Sequence, residues 1–236
     1  MTISLAALGL AVLAVLLLAA AGPSYRLGAE LPTAFTLLRW GAYLGVAAAA
    51  LAIVAALLAY RRKARGATAV AAIAIVAGVV AVGIPFAWQQ RAQGVPPIHD
   101  ISTDLENPPQ FDAVVPLRAD APNSLDRPAE LAAQQREGYP DLAPLTLAVP
   151  PDAAFTRALT AAQEMGWEIV NADQASGRIE ATDTTTWFGF KDDIVVRLTS
   201  WGSGTRVDVR SVSRVGRSDV GTNARRIREF LETLEG

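Results

Sequence analysis

Arginines concentrate near the C-terminal end of the chain, where positions 194–228 hold eight of them against two aspartates. Two of these, Arg214 and Arg217, flank Gly216 directly before a predicted helix. The free N–H groups of a helix N-terminus, the helix dipole and two guanidinium groups can together hold an anion such as phosphate or a lipid headgroup. The alternative is internal ion pairing, for which the candidate partners are Asp192, Asp193, Asp219 and acidic residues of the proline-rich segment upstream.

Three more arginines, Arg197, Arg206 and Arg210, point to one side of neighbouring predicted strands. One interpretation is a solvated sheet face on which these cations alternate with Glu180 and Asp208. The other is a docking face for a partner protein or for the acidic proline-rich segment. All five arginines are therefore candidate contacts for an anion or a partner.

The sequence contains none of the catalytic signatures G-x-S-x-G, H-E-x-x-H or the P-loop. It has no cysteine, which excludes disulfides, thiolate nucleophiles and Cys-ligated metals. The single histidine, His99, stands near Asp100 and Asp104. One histidine without cysteine is a poor transition-metal site, so we interpret this stretch as a turn. We therefore expect no enzymatic activity, no cofactor and no metal.

The elements that position these residues begin with a membrane anchor. The chain is 51% hydrophobic, and three apolar stretches in its first 88 residues, Ile3–Ala21, Trp40–Tyr60 and Ala67–Trp88, are long enough to span a bilayer. The first also resembles a signal peptide, with Ala19–Ala21 as a cleavage site. Because it lacks a basic n-region, we expect a retained helix. The lipid bilayer is thus the first predicted partner.

Charges around these spans predict their orientation. The loop Arg61–Arg65 carries four basic residues and is expected in the cytoplasm. We expect the inner (cytoplasmic) membrane, with the N-terminus in the cytoplasm and everything after Trp88 in the periplasm. No acidic residue, lysine or histidine lies within a span, which argues against a transporter. Gly41 and Gly45 permit close helix packing, either within the bundle or with a partner subunit.

A proline-rich acidic segment follows the anchor. Residues 95–151 contain 11 of the 14 prolines and predict an extended strap along a domain surface, with a short helix near Pro128–Arg136. We divide the chain into a membrane anchor at 1–90, the strap at 91–143 and a soluble domain at 144–236. Residues 89–236 carry 15 Lys or Arg against 22 Asp or Glu, which argues against nucleic-acid binding.

Apolar patterns in the soluble domain predict an α+β fold in which N-terminal transmembrane helices precede an antiparallel-sheet two-layer sandwich of order β-α-β-β-β-β-α. A helix-grip variant would add a cavity between helix and sheet. The predicted strands are Leu145–Val149, Trp167–Val170, Arg178–Thr184, Asp193–Ser200 and Thr205–Ser213.

The closing helix should cover the apolar side of this sheet. Its helical spacing predicts that Ile227 and Leu231 are buried over Val207 and Val209. The same spacing places three arginines mostly off that face, namely Arg225, Arg226 and Arg228.

Three motifs carry a resemblance to a known family: PPIHDISTDLENPPQF, WFGFKDDIVVRL and RSVSRVGRSDVGTNARRIREFL, in that order. Over residues 96–236 the chain resembles the bacterial and chloroplast domain-of-unknown-function 1499 family. The resemblance implies two or three N-terminal membrane spans, and it brings no established activity.

Two functions follow as expectations. The first is a membrane-anchored, non-catalytic accessory or interaction subunit, which would join a larger membrane complex or a homo-oligomer. The second is a binding module for a small anionic or lipidic ligand, centred on Arg214 and Arg217.

Overall fold

The computed structural model describes all 236 residues, and the chain forms two compact units. The first unit comprises Met1–Gln90 together with Thr186–Gly189, and the second comprises Arg91–Thr185 together with Phe190–Gly236. The strap therefore folds with the sheet as part of the second unit.

The first unit is built from three long apolar helices, α1 (Thr2–Arg26), α2 (Leu31–Arg61) and α3 (Arg65–Gln93). Each is long and apolar enough to cross a membrane. Pro85 lies inside α3, which continues for two more turns and does not end at the proline. Within this unit the ring of Phe188 packs between Tyr25 and Phe35, with ring centroids 6.3 and 6.0 Å away.

Small residues form the buried side of each helix, at spacings that alternate between three and four. Large apolar side chains lie on the outside: Leu16 and Val76 are 59% and 64% exposed. Such small-residue seams let helix backbones approach closely where lipid surrounds the bundle. The seams run through Ala7, Ala11, Ala14, Leu18 and Ala21 in α1, Gly41, Gly45, Ala48, Ala52, Ala55 and Ala59 in α2, and Ala67, Ala71, Ala74, Gly78 and Ala81 in α3.

Gly41 and Gly45 face the other two helices of the same bundle. A Cβ atom on Gly41 would lie 3.0 Å from the carbonyl oxygen of Ala14, and one on Gly45 would lie 3.0 Å from that of Gly78. Both glycines are thus occupied by packing within the chain.

The second unit contains an antiparallel sheet of six strands in the order β1-β6-β5-β4-β3, with β2 also paired to β6. This confirms the predicted α+β class. The stretch His99–Asp104, interpreted as a turn, instead contributes β1, whose Asp100 pairs with Val212 in the register of the sheet. The strands are β1 (Asp100–Ser102), β2 (Leu145–Leu147), β3 (Glu168–Asp173), β4 (Arg178–Thr184), β5 (Lys191–Trp201) and β6 (Gly204–Ser213).

Three helices accompany the sheet: α4 (Ala129–Gly138) in the strap, α5 (Pro151–Glu164) and the closing helix α6 (Thr222–Glu235). The strap also contains a 3₁₀ turn, Val115–Arg118. Helices α5 and α6 and the apolar side of the sheet share one continuous core. In that core the Trp167 and Phe230 rings stack 5.0 Å apart, between the layers where a helix-grip cavity was considered.

The closing helix buries a slightly different face from the predicted one. Ile227 is fully buried, as expected, but Leu231 is only partly buried, and its neighbour Phe230 takes the inner position. Phe230 and Leu231 both fit helical spacing from Ile227, and stacking against Trp167 selects the aromatic ring.

We expect Phe230→Ala to lower the free energy of unfolding by about 3–5 kcal/mol, because it removes a buried ring and leaves a cavity. Leu231→Ala should cost less, since that side chain is only partly buried. Arg225→Ala, at an exposed ion pair with Glu229, is the control and should change stability by less than about 0.5 kcal/mol. Urea denaturation of residues 89–236 measures the free energy of unfolding of all three variants. A larger loss of stability for Leu231→Ala than for Phe230→Ala would contradict this packing.

We expect Gly45→Leu to destabilise the helical unit by about 1–3 kcal/mol, because the new side chain collides with the α3 backbone. Val46→Leu, one residue along and 57% exposed, is the matched control. Thermal unfolding of the full chain in detergent compares the two. Equal melting temperatures would show that Gly45 is not a packing position.

Candidate functional site: the ion-paired face of the sheet

The side of the sheet opposite α5 and α6 is charged and buried. We call it the polar face; it carries Glu180, Asp193, Arg197, Arg206, Asp208 and Arg210, which the strand register places on neighbouring strands. Glu180 and Asp193 are 0% exposed, and Asp208 and Arg210 are 1% exposed. The interpretation of this face as solvated is therefore wrong, and the alternative that the strap docks on it is confirmed.

Residues 103–127 of the strap cover the polar face with backbone groups as well as side chains. The backbone N–H groups of Asp112 and Val114 both donate to the Glu180 carboxylate, each with a 3.0 Å bond. A buried carboxylate needs such donors, because burial without a partner would strongly disfavour its charge. Glu180 thus fixes the strap to β4, the neighbour of the edge strand β3.

Asp193 is the centre of the first ion-pair cluster. It accepts hydrogen bonds from both Arg118 of the strap and Arg214 of the segment after β6, and from the Thr182 hydroxyl at 2.7 Å. Burial alone would raise the pKa of Asp193, but the hydrogen bonds from Arg214, Thr182 and Arg118 outweigh it and hold this pKa below its ordinary value. Arg214 also donates to the Leu117 carbonyl at 2.8 Å, so its donors are directed inward.

The second cluster is balanced in charge and lies nearer the edge of the face. Asp208 on β6 and Asp104 of the strap share Arg197 and Arg206. The Arg197 guanidinium donates to Asp208 at 2.9 Å and to Asp104 at 3.0 Å. Side-chain hydrogen bonding to Asp208 raises the pKa of Arg206 further above its usual range.

The third cluster places two arginines on one carboxylate. Arg210 forms a two-point contact with Asp100 on β1, with bonds of 3.1 and 2.8 Å. Arg127 of the strap donates to the same carboxylate at 2.6 Å and to the side-chain oxygen of Gln135 at 2.6 Å. Two cations and one anion leave this cluster with an excess positive charge.

A fourth cluster lies on the helix side and involves Arg226, which we expected to lie mostly off the buried face of the closing helix. Arg226 of α6 is buried and donates to Asp183 and Asp192, both at 2.7 Å. The expectation for Arg226 is wrong because these two strand-end carboxylates face the helix and need a cation. Arg228, in contrast, is partly exposed and pairs with Asp141.

Arg214 and Arg217 do not form a joint anion site. Arg214 is turned into the polar face toward Asp193, whereas Arg217 is exposed and outside the ion pairs. The backbone carbonyl of Arg217 lies 3.4 Å from Nδ1 of His99. The N-terminus of α6 is instead occupied by Asp219, which accepts the N–H groups of Gly221 and Asn223 at 3.0 and 2.6 Å.

The clusters depend on strap residues that sequence reasoning did not single out, namely Arg118 and Arg127. Both are arginines inside an otherwise acidic segment, and this local reversal of charge could have indicated that they form ion pairs. Their partners lie 75 and 27 residues away, so no local periodicity could assign them.

We expect Asp193→Asn to lower the free energy of unfolding by about 3–5 kcal/mol at pH 7, because it leaves Arg118 and Arg214 buried without their anion. The pKa of Asp193 is lower when folded than when unfolded. Its stabilisation is therefore present above about pH 4, the unfolded value, and is lost as the pH falls through the folded value. The difference in free energy of unfolding between parent and variant, measured by urea denaturation, should become smaller below pH 4. A difference independent of pH would contradict the ionised pair.

Comparison with known proteins adds a family but no activity. A family model described as a protein of unknown function, DUF1499, matches residues 100–234. The match starts at β1 and ends within α6, so it takes in the sheet and the part of the strap that covers the polar face. The curated proteins compared with the chain give no match. The family resemblance carried by the three motifs is thereby confirmed, and the chain belongs to the DUF1499 family of proteins of unknown function.

Proposed function

We propose that this protein is a membrane-anchored, non-catalytic accessory or interaction subunit with an extracytoplasmic α+β domain. The observation that carries the proposal is that the charged groups of the polar face form ion pairs within the domain. Nearly all the charged groups of the polar face bind one another or the strap. Groups held in such pairs stabilise the fold, so we expect a partner to bind the exposed surface of the domain instead.

The anchor half of the proposal is supported by the inverted packing of α1, α2 and α3. Small residues inside and Leu, Ile and Val outside suit a lipid environment. The four basic residues within Arg61–Arg65 support a cytoplasmic loop between α2 and α3. With three crossings, the second unit then lies on the opposite side, in the periplasm of a bacterial cell.

The interaction half is supported by exposed apolar side chains on the second unit. Val115 and Leu117 on the 3₁₀ turn are 47% and 53% exposed, and Trp201 on the β5–β6 hairpin is 57% exposed. Tryptophan is enriched among the residues that dominate protein interfaces, and exposed apolar side chains such as Val115 and Leu117 add contact area to an interface. We propose these two places as contacts for a partner subunit of the same membrane.

We expect a photo-crosslinking amino acid at Leu117 or Trp201 to give one discrete crosslinked product in the native membrane. The same group at Glu130, an exposed position on α4, is the matched control and should give none. Crosslinked bands are compared by electrophoresis after irradiation of whole cells. Failure to crosslink at both positions, in protein that is inserted normally, would count against the accessory role.

Because the chain has no cysteine, single cysteines report its topology directly. We expect Ser124→Cys in the strap to react with a membrane-impermeant maleimide in intact spheroplasts, and Lys63→Cys in the basic loop to react only after lysis. The reverse pattern would place the second unit in the cytoplasm and overturn the orientation.

A further inference from the structure

The third ion-pair cluster borders a groove in the second unit. This groove, of about 590 Å³, lies between the first part of the strap and α4. Its volume is within the usual range for small-molecule sites. Its charged lining comprises Arg127, Arg136 and Arg210 together with Glu106 and Asp126, and Leu105, Leu125 and Ala132 contribute apolar walls. Arg210 already donates to Asp100 and to the carbonyls of Pro109 and Leu125, so it contributes its charge to the groove and no nitrogen without a partner.

Charge at the inner end of the groove is not balanced. Arg127 and Arg210 have 8% and 1% of their side chains exposed, and they share the single carboxylate of Asp100. Burial and the neighbouring charge of Arg210 both lower the pKa of Arg127, against the attraction of Asp100. A second anion beside these guanidinium groups would balance their excess positive charge.

The hydrogen bonding of Arg127 is also incomplete. Its two terminal nitrogens bind Asp100 and Gln135, but its Nε is buried and has no partner. A buried donor without a partner costs about 1–3 kcal/mol, so an acceptor that reached this nitrogen would be favourable. The N-terminus of α4 adjoins the same groove, and no side chain caps it. Free N–H groups there add to the positive potential.

Acidic residues also border the groove, but at its outer part. Glu106 pairs with Arg136, and both side chains are largely exposed at 88% and 61%. Asp126 is exposed and accepts a hydrogen bond from the Ser124 hydroxyl at 2.8 Å. Water screens these exposed charges, whereas the excess positive charge at the inner end is buried.

We propose that this groove binds an amphiphilic anion, a carboxylate or phosphate ester that carries a short apolar chain. The anionic group lies beside Arg127 and Arg210 at the N-terminus of α4, and the chain lies along Leu105, Leu125 and Ala132. This proposal is independent of the accessory role, because it rests on different residues from the exposed apolar contacts.

The test is isothermal titration of the full chain in phosphatidylcholine nanodiscs with octyl phosphate, octanoate and inorganic phosphate, after subtraction of empty nanodiscs. We expect saturable binding of octyl phosphate or octanoate with one site per chain. Arg127→Gln should weaken this binding by about 10- to 100-fold, the loss of one charged hydrogen-bonding group. Ala132→Trp, which fills the groove and leaves the charges in place, should weaken it similarly.

Gln134→Trp is the matched control, since it adds the same ring at an exposed position of α4 outside the groove lining. It should bind as the parent does. Competition by inorganic phosphate would identify a free anion as a sufficient ligand, and lack of competition would identify a lipid-like one. The proposal is overturned if neither octyl phosphate nor octanoate binds saturably, or if Ala132→Trp binds as tightly as Gln134→Trp. Ala132→Trp keeps the test decisive if Arg127→Gln does not fold.

Discussion

The second unit depends on one constraint: the polar face of its sheet is removed from water, so each charge on it needs a partner. Moving a carboxylate or guanidinium group out of water costs several kcal/mol, and only close pairing with further hydrogen bonds offsets that cost. The strap supplies these partners. Arg118, Arg127 and Asp104 each meet opposite charges on the sheet, and the backbone of Asp112 and Val114 meets Glu180.

This arrangement explains why a proline-rich segment without regular structure over most of its length can follow one path. Apolar contacts alone would leave such a segment free to slide, because they have no direction. Ion pairs and hydrogen bonds are directional, and a shift of the strap by one residue would leave several buried charges unpaired at once. The clusters therefore specify the position of the strap more than they add stability. Proline also lowers the entropy that the unfolded strap loses on ordering.

The sequence predicted the parts of the fold that rest on local periodicity. The three apolar spans, the strand Arg178–Thr184 and the closing helix follow from spacing alone, and the structure has each of them, although α2 begins at Leu31, nine residues before the predicted span. The polar face was misjudged because alternating charged residues usually face solvent. Its burial depends on contacts such as that between Asp100 and Arg210, which are 110 residues apart and leave no local pattern. The three-residue strand at Asp100 was missed for the same reason, since only its pairing with β6 makes it a strand.

The two units of this chain pack in opposite ways, and each pattern suits a different surrounding medium, lipid for one and water for the other. In the helical unit the buried side consists of alanine and glycine, and the large apolar side chains face outward. That pattern would be unfavourable in water, where the hydrophobic effect drives large apolar side chains inward. In the second unit aromatic and branched residues fill one core, and charged residues fill the other side of the sheet. Charged groups at such density can be buried because each is paired and hydrogen-bonded within the domain. The outward-facing apolar side chains of the helices and the ion-paired face of the sheet thus place the boundary between lipid-adapted and water-adapted chain between α3 and β1, where the family match begins.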